Sequence, residues 1–268
     1  MQPLKQTTTD AQQGNTGGDW SWCTHIVVYG YNFDEGLASF LAFQLTPTSA
    51  FEFGSGIGLY GDYLVRHGKV AGKVLGAEPS DMQGAGVFGR PGIEYPQQLM
   101  MNILEATDEE RSAVGKFDLV YTIEVAEHVP AELHRVMRQV LKSLTTKYLV
   151  FAAARPGQGG TGHLGPSMFT REEWKVHWER TGLFYLEGLS EILRRQCDPY
   201  NTNHGKNLLV FGVSKSLDTT VEVPGLTRNV EMKKEKHEAN ALRLFPFMLD
   251  AKIKSRECGS KAAQVSAM

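Results

Sequence analysis

The chain has 268 residues and a formal charge of -2, from 28 Lys and Arg against 30 Asp and Glu, with 41% apolar and 22% charged residues. That composition excludes disorder as the main state, and the missing basic excess argues against a general nucleic-acid binder. Three cysteines, Cys23, Cys197 and Cys258, lie far apart with no CxxC spacing, which speaks against a disulfide framework or a zinc site and for a reducing, cytoplasmic setting.

Residues 1–18 read as a polar, disordered leader without the apolar run of a signal peptide, 19–214 as one domain, and 215–268 as a partly ordered tail whose only apolar cluster is Leu242–Leu249. The longest apolar stretch, Tyr148–Ala154, is far too short to span a bilayer, so no membrane partner is expected. The domain opens on an aromatic segment, Trp20, Trp22, Tyr29, Tyr31 and Phe33, expected to pack on the domain or over a ligand. Leu37, Phe40, Leu41 and Leu45 predict a helix over 35–45, stopped by Thr46-Pro47. Ala50–Phe53 predicts a strand running into glycines, Leu59–His67 a helix closed by Gly68, and Val74–Ala77 a second strand. Between Ser80 and Gly115 no third strand can be read, and Leu99–Leu104 is expected to be helical. Phe117–Tyr121 predicts a strand, Ala131–Ser143 an amphipathic helix and Tyr148–Ala153 a buried strand. Thr170–Thr181 predicts a helix with a capping box, with Trp174 and Trp178 as core residues, and strands follow at Leu183–Leu186 and Asn207–Val213 around a polar loop, Gln196–Lys206. Alternating strands and helices imply a mainly parallel sheet covered on both faces.

The strand-to-helix turn at Gly54-Ser55-Gly56-Ile57-Gly58 offers backbone N–H groups and close approach to a ligand. Two cofactors compete for it. Gly56, Gly58 and Gly61 fit the GxGxxG dinucleotide fingerprint, with Glu78 at the distance of a ribose-binding acid. Against that, the strand ends at Gly54, two residues before the fingerprint begins, and Glu52 adds negative charge where a pyrophosphate would lie. A ligand with an ammonium or sulfonium group suits Glu52 better.

The block Glu52-Phe53-Gly54-Ser55-Gly56-Ile57-Gly58 resembles the E/D-x-G-x-G-x-G loop of class I S-adenosylmethionine-dependent methyltransferases, and Glu78 resembles their ribose-binding acid. Phe117–Val129 resembles their FDLV-x-x-x-EVxEH segment. The resemblance spans roughly residues 35–214. It implies a Rossmann-like α/β fold with a central, mainly parallel, seven-stranded sheet and helices on both faces. It also implies S-adenosylmethionine as cofactor, bound by Glu52, Gly54, Ser55, Gly56, Gly58, Glu78, Thr122 and Glu124. For the adenine the family's usual pattern is missing, and Asp81, Glu94 and Gln98 are the candidates at hand.

Glu124, Glu127 and His128 are spaced i, i+3, i+4 and would share one helical face, where carboxylates and imidazole suit a divalent cation such as Mg²⁺. The pattern is similar to that of ubiquinone-pathway O-methyltransferases and small-RNA 2′-O-methyltransferases, which hold a metal there, and the RNA family also has a later histidine to which His163 is comparable. The resemblance thus implies a metal set of Glu124, Glu127, His128 and His163, although metal-free members carry the same segment. His128 and His163 are also the candidate catalytic bases, His163 from the glycine-rich loop Arg155–His163. Tyr200, Asn201, Asn203 and His204 are weaker acceptor candidates. The expected activity is methyl transfer to the O, N or S atom of a small molecule, since the near-neutral charge disfavours a polyanionic acceptor. The alternatives are a non-catalytic scaffold of the same fold and an NAD(P)-dependent oxidoreductase.

Overall fold

The computed structural model of the chain describes residues 22, 25, 33–68, 70–82, 96–160, 162–197 and 202–219. Seven strands form one sheet: β1 (Ala50–Phe53), β2 (Val74–Ala77), β3 (Gln97–Leu99), β4 (Phe117–Ile123), β5 (Thr145–Ala152), β6 (Phe184–Tyr185) and β7 (Leu209–Gly212). Their spatial order is β3-β2-β1-β4-β5-β7-β6. The first five run parallel, and β7 is antiparallel to both its neighbours.

The two-residue side-chain period of the strands assigns residues to two cores. Ala50, Leu119, Tyr121, Val150 and Ala152 face one side, while Phe51, Phe53, Val120, Leu149 and Phe151 face the other, all of them buried. On the first face lie α1 (Glu35–Ser39, continuing as a π-helical turn, Phe40–Gln44), α2 (Leu59–Arg66) and α6 (Glu187–Gln196), through residues such as Leu37, Leu64 and Leu193. On the second lie α3 (Asp108–Val114), α4 (His134–Leu144) and α5 (Arg171–Glu179). They contribute Val114, Met137, Leu141, Trp174 and Trp178. Both tryptophans are thus core residues, Trp178 packed between Phe151 and Phe211 at 5.3 and 6.1 Å. A parallel sheet buried on both faces is the arrangement that helical crossovers enforce.

The capping box at Thr170 is present, its hydroxyl accepting from Glu173 N while Glu173 returns a bond to the Thr170 N–H; Thr107 and Glu110 build another at α3. Three expectations change. The apolar run 99–104 is not helical: Leu99 ends β3 and the chain then turns, because Gln97–Leu99 gain more by pairing with β2 than so short a helix would return. Within the polar loop after Gln196 the structure forms α7, Thr202–Asn207, and α6 is a helix that no sequence signal had assigned. Of the aromatic segment only Trp22 and Phe33 are described, both against the first core. The leader and the Leu242–Leu249 cluster lie outside the described residues. None of the described helices is long and apolar enough to cross a membrane.

Candidate active site

At the carboxyl ends of β1, β2, β4 and β5 the connections part around a cleft of about 340 Å³. This is the edge at which open α/β sheets bind ligands. The glycine loop forms one wall. Gly54, Gly56 and Gly58 all have left-handed backbone, φ 72°, 49° and 80°. At Gly54 a Cβ would stand 2.5 Å from Val125 Cγ2, so only glycine lets the loop close onto the segment after β4. Gly58 does not line the cleft; it starts α2 and donates its N–H to Ser55 O at 2.9 Å. Ser55 does line it, with a buried hydroxyl that has no hydrogen-bond partner.

Two acids flank the loop. Register pairs Glu52 with Tyr121, so both side chains leave the same face of the sheet, and the Tyr121 hydroxyl donates to Glu52 Oε2 at 3.0 Å. Burial raises the Glu52 carboxyl well above the carboxylate range, the Tyr121 bond offsets part of this, and the nearby charge of Glu78 adds to it. Glu78, at the end of β2, accepts from the Gly56 and Ser80 N–H groups, each at 3.3 Å. Burial outweighs those two bonds and pushes its pKa from 4.5 up to about 7.

Thr122 was expected at the cofactor and does not line the cleft. It follows Tyr121 in the strand, so the pleat turns it to the opposite face, beside Phe151 in the neighbouring strand, where its buried hydroxyl has no partner. Of the adenine candidates, Asp81 is exposed, Gln98 ties down the chain after β2 by donating to the carbonyls of Glu78 and Ser80, and Glu94 lies outside the described residues. Neither Asp81 nor Gln98 lines the cleft; Met101–Glu105, after β3, does. Sequence patterning missed that segment because β3 itself carries no strand signal, and with it went the position of the polar Asn102 just beyond a strand end.

Beyond β4 the chain forms a short 3₁₀ turn, Ala126–His128, preceded by Glu124 with φ 54°. A left-handed non-glycine residue costs about 1–2 kcal/mol. The turn breaks the expected i, i+3, i+4 alignment. Glu127 and His128 meet His163, with ligating atoms within 4.8 Å of one another, whereas Glu124 is not part of that group. It accepts instead from Gln158 Nε2 at 2.7 Å and from Asn207 Nδ2 at 3.3 Å. Glu127 is fully buried and neither oxygen has a hydrogen-bond partner of good geometry, the His163 Nε2 being 3.9 Å away. Burial first, then the charge of Glu124, raise its pKa well above the carboxylate range, and the backbone N–H groups of Glu127 and Ala154 nearby offset part of this.

The two imidazoles meet edge to face at 5.1 Å. Nδ1 of His128 faces the Gly162 carbonyl at 2.9 Å and Nδ1 of His163 that of Gln158 at 3.2 Å. A carbonyl only accepts, so each Nδ1 carries the proton and each Nε2 keeps its lone pair in the neutral ring. Burial, ahead of the raising effect of the Gly162 bond, lowers the His128 pKa, which keeps that ring neutral at physiological pH. Tyr200 and Asn201 lie outside the described residues, and Asn203 and His204 fall on α7.

Residues 29–187, more than half of the chain, match the family model described as a methyltransferase domain. The chain belongs to that family. Its seven-stranded sheet, with one antiparallel strand inserted near the edge, is that of a class I S-adenosylmethionine-dependent methyltransferase. Similar solved structures include magnesium protoporphyrin IX methyltransferase from Synechocystis PCC 6803 with bound SAH, 16% identical over 68% of this chain and 81% of that one, TM-score 0.41. Another is the methyltransferase domain of a bacterial CtHen1-C, 14% identical over 67% and 96%, TM-score 0.47. A third is 1,6-didemethyltoxoflavin-N1-methyltransferase from Burkholderia thailandensis, 14% identical over 65% and 75%, TM-score 0.43. No curated protein matches the chain.

Proposed function

We propose that this methyltransferase-family protein transfers a methyl group from S-adenosylmethionine to the O, N or S atom of a small-molecule acceptor. The observation that carries the reading is the pair of buried carboxyls, Glu52 and Glu78, on either side of a glycine loop whose Ser55 hydroxyl is unpartnered. An ammonium group satisfies the buried Glu52, a ribose diol satisfies Glu78, and the unpartnered Ser55 hydroxyl suits a carboxylate. Because β3 lies beside β2, a base attached to that ribose extends toward Met101–Glu105, and we assign the adenine to this segment.

When bound, S-adenosylmethionine supplies an electrophilic methyl whose bond to sulfur breaks as the acceptor's lone pair forms the new one, the sulfur leaving as a neutral thioether. The chain's own task is to align the acceptor, exclude water and take its proton. Nε2 of His128 or His163 is the base, each held in the required tautomer by a backbone carbonyl.

A divalent metal is the second reading, favoured by the buried Glu127 carboxyl, without a hydrogen bond of good geometry, beside His128 and His163. These three residues, without Glu124, would hold it, and it would make an acceptor oxygen more acidic. Metal titration by calorimetry tests this: binding lost in His163→Ala supports it, and full activity after chelation removes it.

The test of the main reading is thermal unfolding with S-adenosylhomocysteine and with NAD. The former raises the melting temperature and the latter does not, because a ligand specific to the folded state stabilises it, and Glu52→Ala abolishes the response. A response to NAD alone favours the oxidoreductase. With binding established, mass-resolved methyl transfer to a metabolite extract identifies the acceptor, and binding without any transfer favours the scaffold.

A further inference from the structure

Where the strands β4 and β5 end, the cleft wall holds a polar triangle that the methyl-transfer step leaves unused. Glu124 accepts from the Gln158 amide at 2.7 Å and from Asn207 at 3.3 Å, and the same Asn207 amide donates to Gln158 Oε1 at 3.0 Å. Asn207 is buried behind the wall, whereas Glu124 and Gln158 line the cleft. The three side chains come from the end of β4, from the loop after β5 and from α7, so the carboxylate is clamped by elements that meet only in the folded chain. A carboxylate offers about four acceptor positions, and the two amides occupy two of them, which leaves capacity for a donor entering from the cleft. The left-handed backbone of Glu124 points the same way, since strain of this kind persists where the surroundings over-determine a residue and gathers at ligand sites.

The composition of the cleft lining is the independent observation. Its described lining contains five carboxyls, Glu52, Glu78, Glu105, Glu124 and Glu127, and no lysine or arginine. Glu127 is wholly buried there, with neither oxygen in a hydrogen bond of good geometry. With no cation in the described lining, an anionic acceptor meets acceptor oxygens and no partner, whereas a donor finds acceptors there whether or not each carboxyl is ionised.

We propose that the acceptor is a small molecule without negative charge that presents an N–H or O–H donor to the carboxylate of Glu124. The inference rests on the methyltransferase reading and names its acceptor class. A lining of carboxyls without a lysine or arginine accommodates an amine or a polyol and offers a carboxylate or a phosphate ester no countercharge.

The experiment uses the full-length protein saturated with S-adenosylhomocysteine and two probes matched in shape, benzylamine and benzoate, with binding followed by ligand-observed NMR. Calorimetry of S-adenosylhomocysteine alone comes first, and if that ligand does not bind, the methyltransferase reading falls and takes this inference with it. With the ligand bound, benzylamine is expected to bind about tenfold or more tightly than benzoate, the scale of one charge-assisted hydrogen bond, and Glu124→Gln to remove most of that difference. Should Glu124→Gln fail to fold, Gln158→Ala, at a loop position, loosens the clamp and is expected to weaken benzylamine alone. Benzoate binding as tightly as benzylamine, neither probe binding, or a preference unchanged by the variants overturns the assignment.

Discussion

Glu78→Gln separates stability from function at a single atom. A carboxyl that ionises at 4.5 in the unfolded chain and at about 7 in the folded one opposes folding whenever it is charged. The sign follows from linkage: the folded state holds the proton more tightly, so stability is lost as pH rises from 4.5 and the loss is complete above about 7. At about 1.4 kcal/mol per pH unit, the cost is roughly 0.8 kcal/mol at pH 5 and about 3 kcal/mol at pH 8. Glutamine carries no such cost, but it can accept from only one of the two N–H groups of Gly56 and Ser80, a loss of about 1 kcal/mol at every pH. The variant is therefore expected to match the wild type at pH 5 and to exceed it by about 2 kcal/mol at pH 8, or about 4–8 °C for a domain of this size. Melting curves of the ligand-free proteins at the two pH values measure it, and calorimetry should show S-adenosylhomocysteine bound about tenfold or more weakly by the variant. A melting-temperature gap that does not change with pH would refute the claim that a buried, proton-holding Glu78 lowers stability and is kept for its ligand.

Gly54→Ala forces a side chain into left-handed backbone against Val125, so it should lose at least about 1–2 kcal/mol and its response to S-adenosylhomocysteine; a wild-type melting curve with the response intact would contradict this. Asp118 ties together the bases of β1, β4 and β5. Burial alone would raise its pKa, but Thr48 Oγ1 and N at 2.6 and 3.1 Å, with Lys147 and Thr146 at 3.1 Å, lower it to about 2. Its stabilisation is present above 3.8 and lost as pH falls through about 2. Asp118→Asn should therefore cost about 1 kcal/mol at pH 7 after allowing for solvent screening, and urea unfolding should find the deficit shrinking toward pH 2. Trp178→Ala empties a fully buried site between Phe151 and Phe211 and should cost about 3–5 kcal/mol by the same assay, with no change of fold.

Much of this molecule is legible along the chain, and the legible parts share a cause. Apolar periodicity places β1, β2, β4 and β5, the glycine spacing with Glu52 and Glu78 marks the loop proposed to hold the cofactor, and Thr170 with Glu173 starts α5, because each signal is carried by residues close in sequence. β3 is not legible because three residues, Gln97–Leu99, without apolar alternation become a strand only by pairing with β2. Thr122 and Tyr121 are adjacent letters on opposite faces, and only the sheet decides that Tyr121 meets Glu52 while Thr122 does not line the cleft.

The EVxEH segment draws the line most clearly. Its letters hold two acids and a histidine at helical spacing, which by themselves determine that carboxylates and imidazole crowd the end of β4. Which of them act together is settled by the left-handed Glu124 and the 3₁₀ turn after it, which send Glu127 and His128 to His163 and leave Glu124 to Gln158 and Asn207. His163, Gln158 and Asn207 lie some 30 to 80 positions further along the chain. Contacts over such separations exist only once the sheet has closed the intervening loops, so no local pattern records them. Composition and motifs determined the family, the glycine loop and the acids beside it; tertiary structure decided which side chains each of those acids and histidines meets.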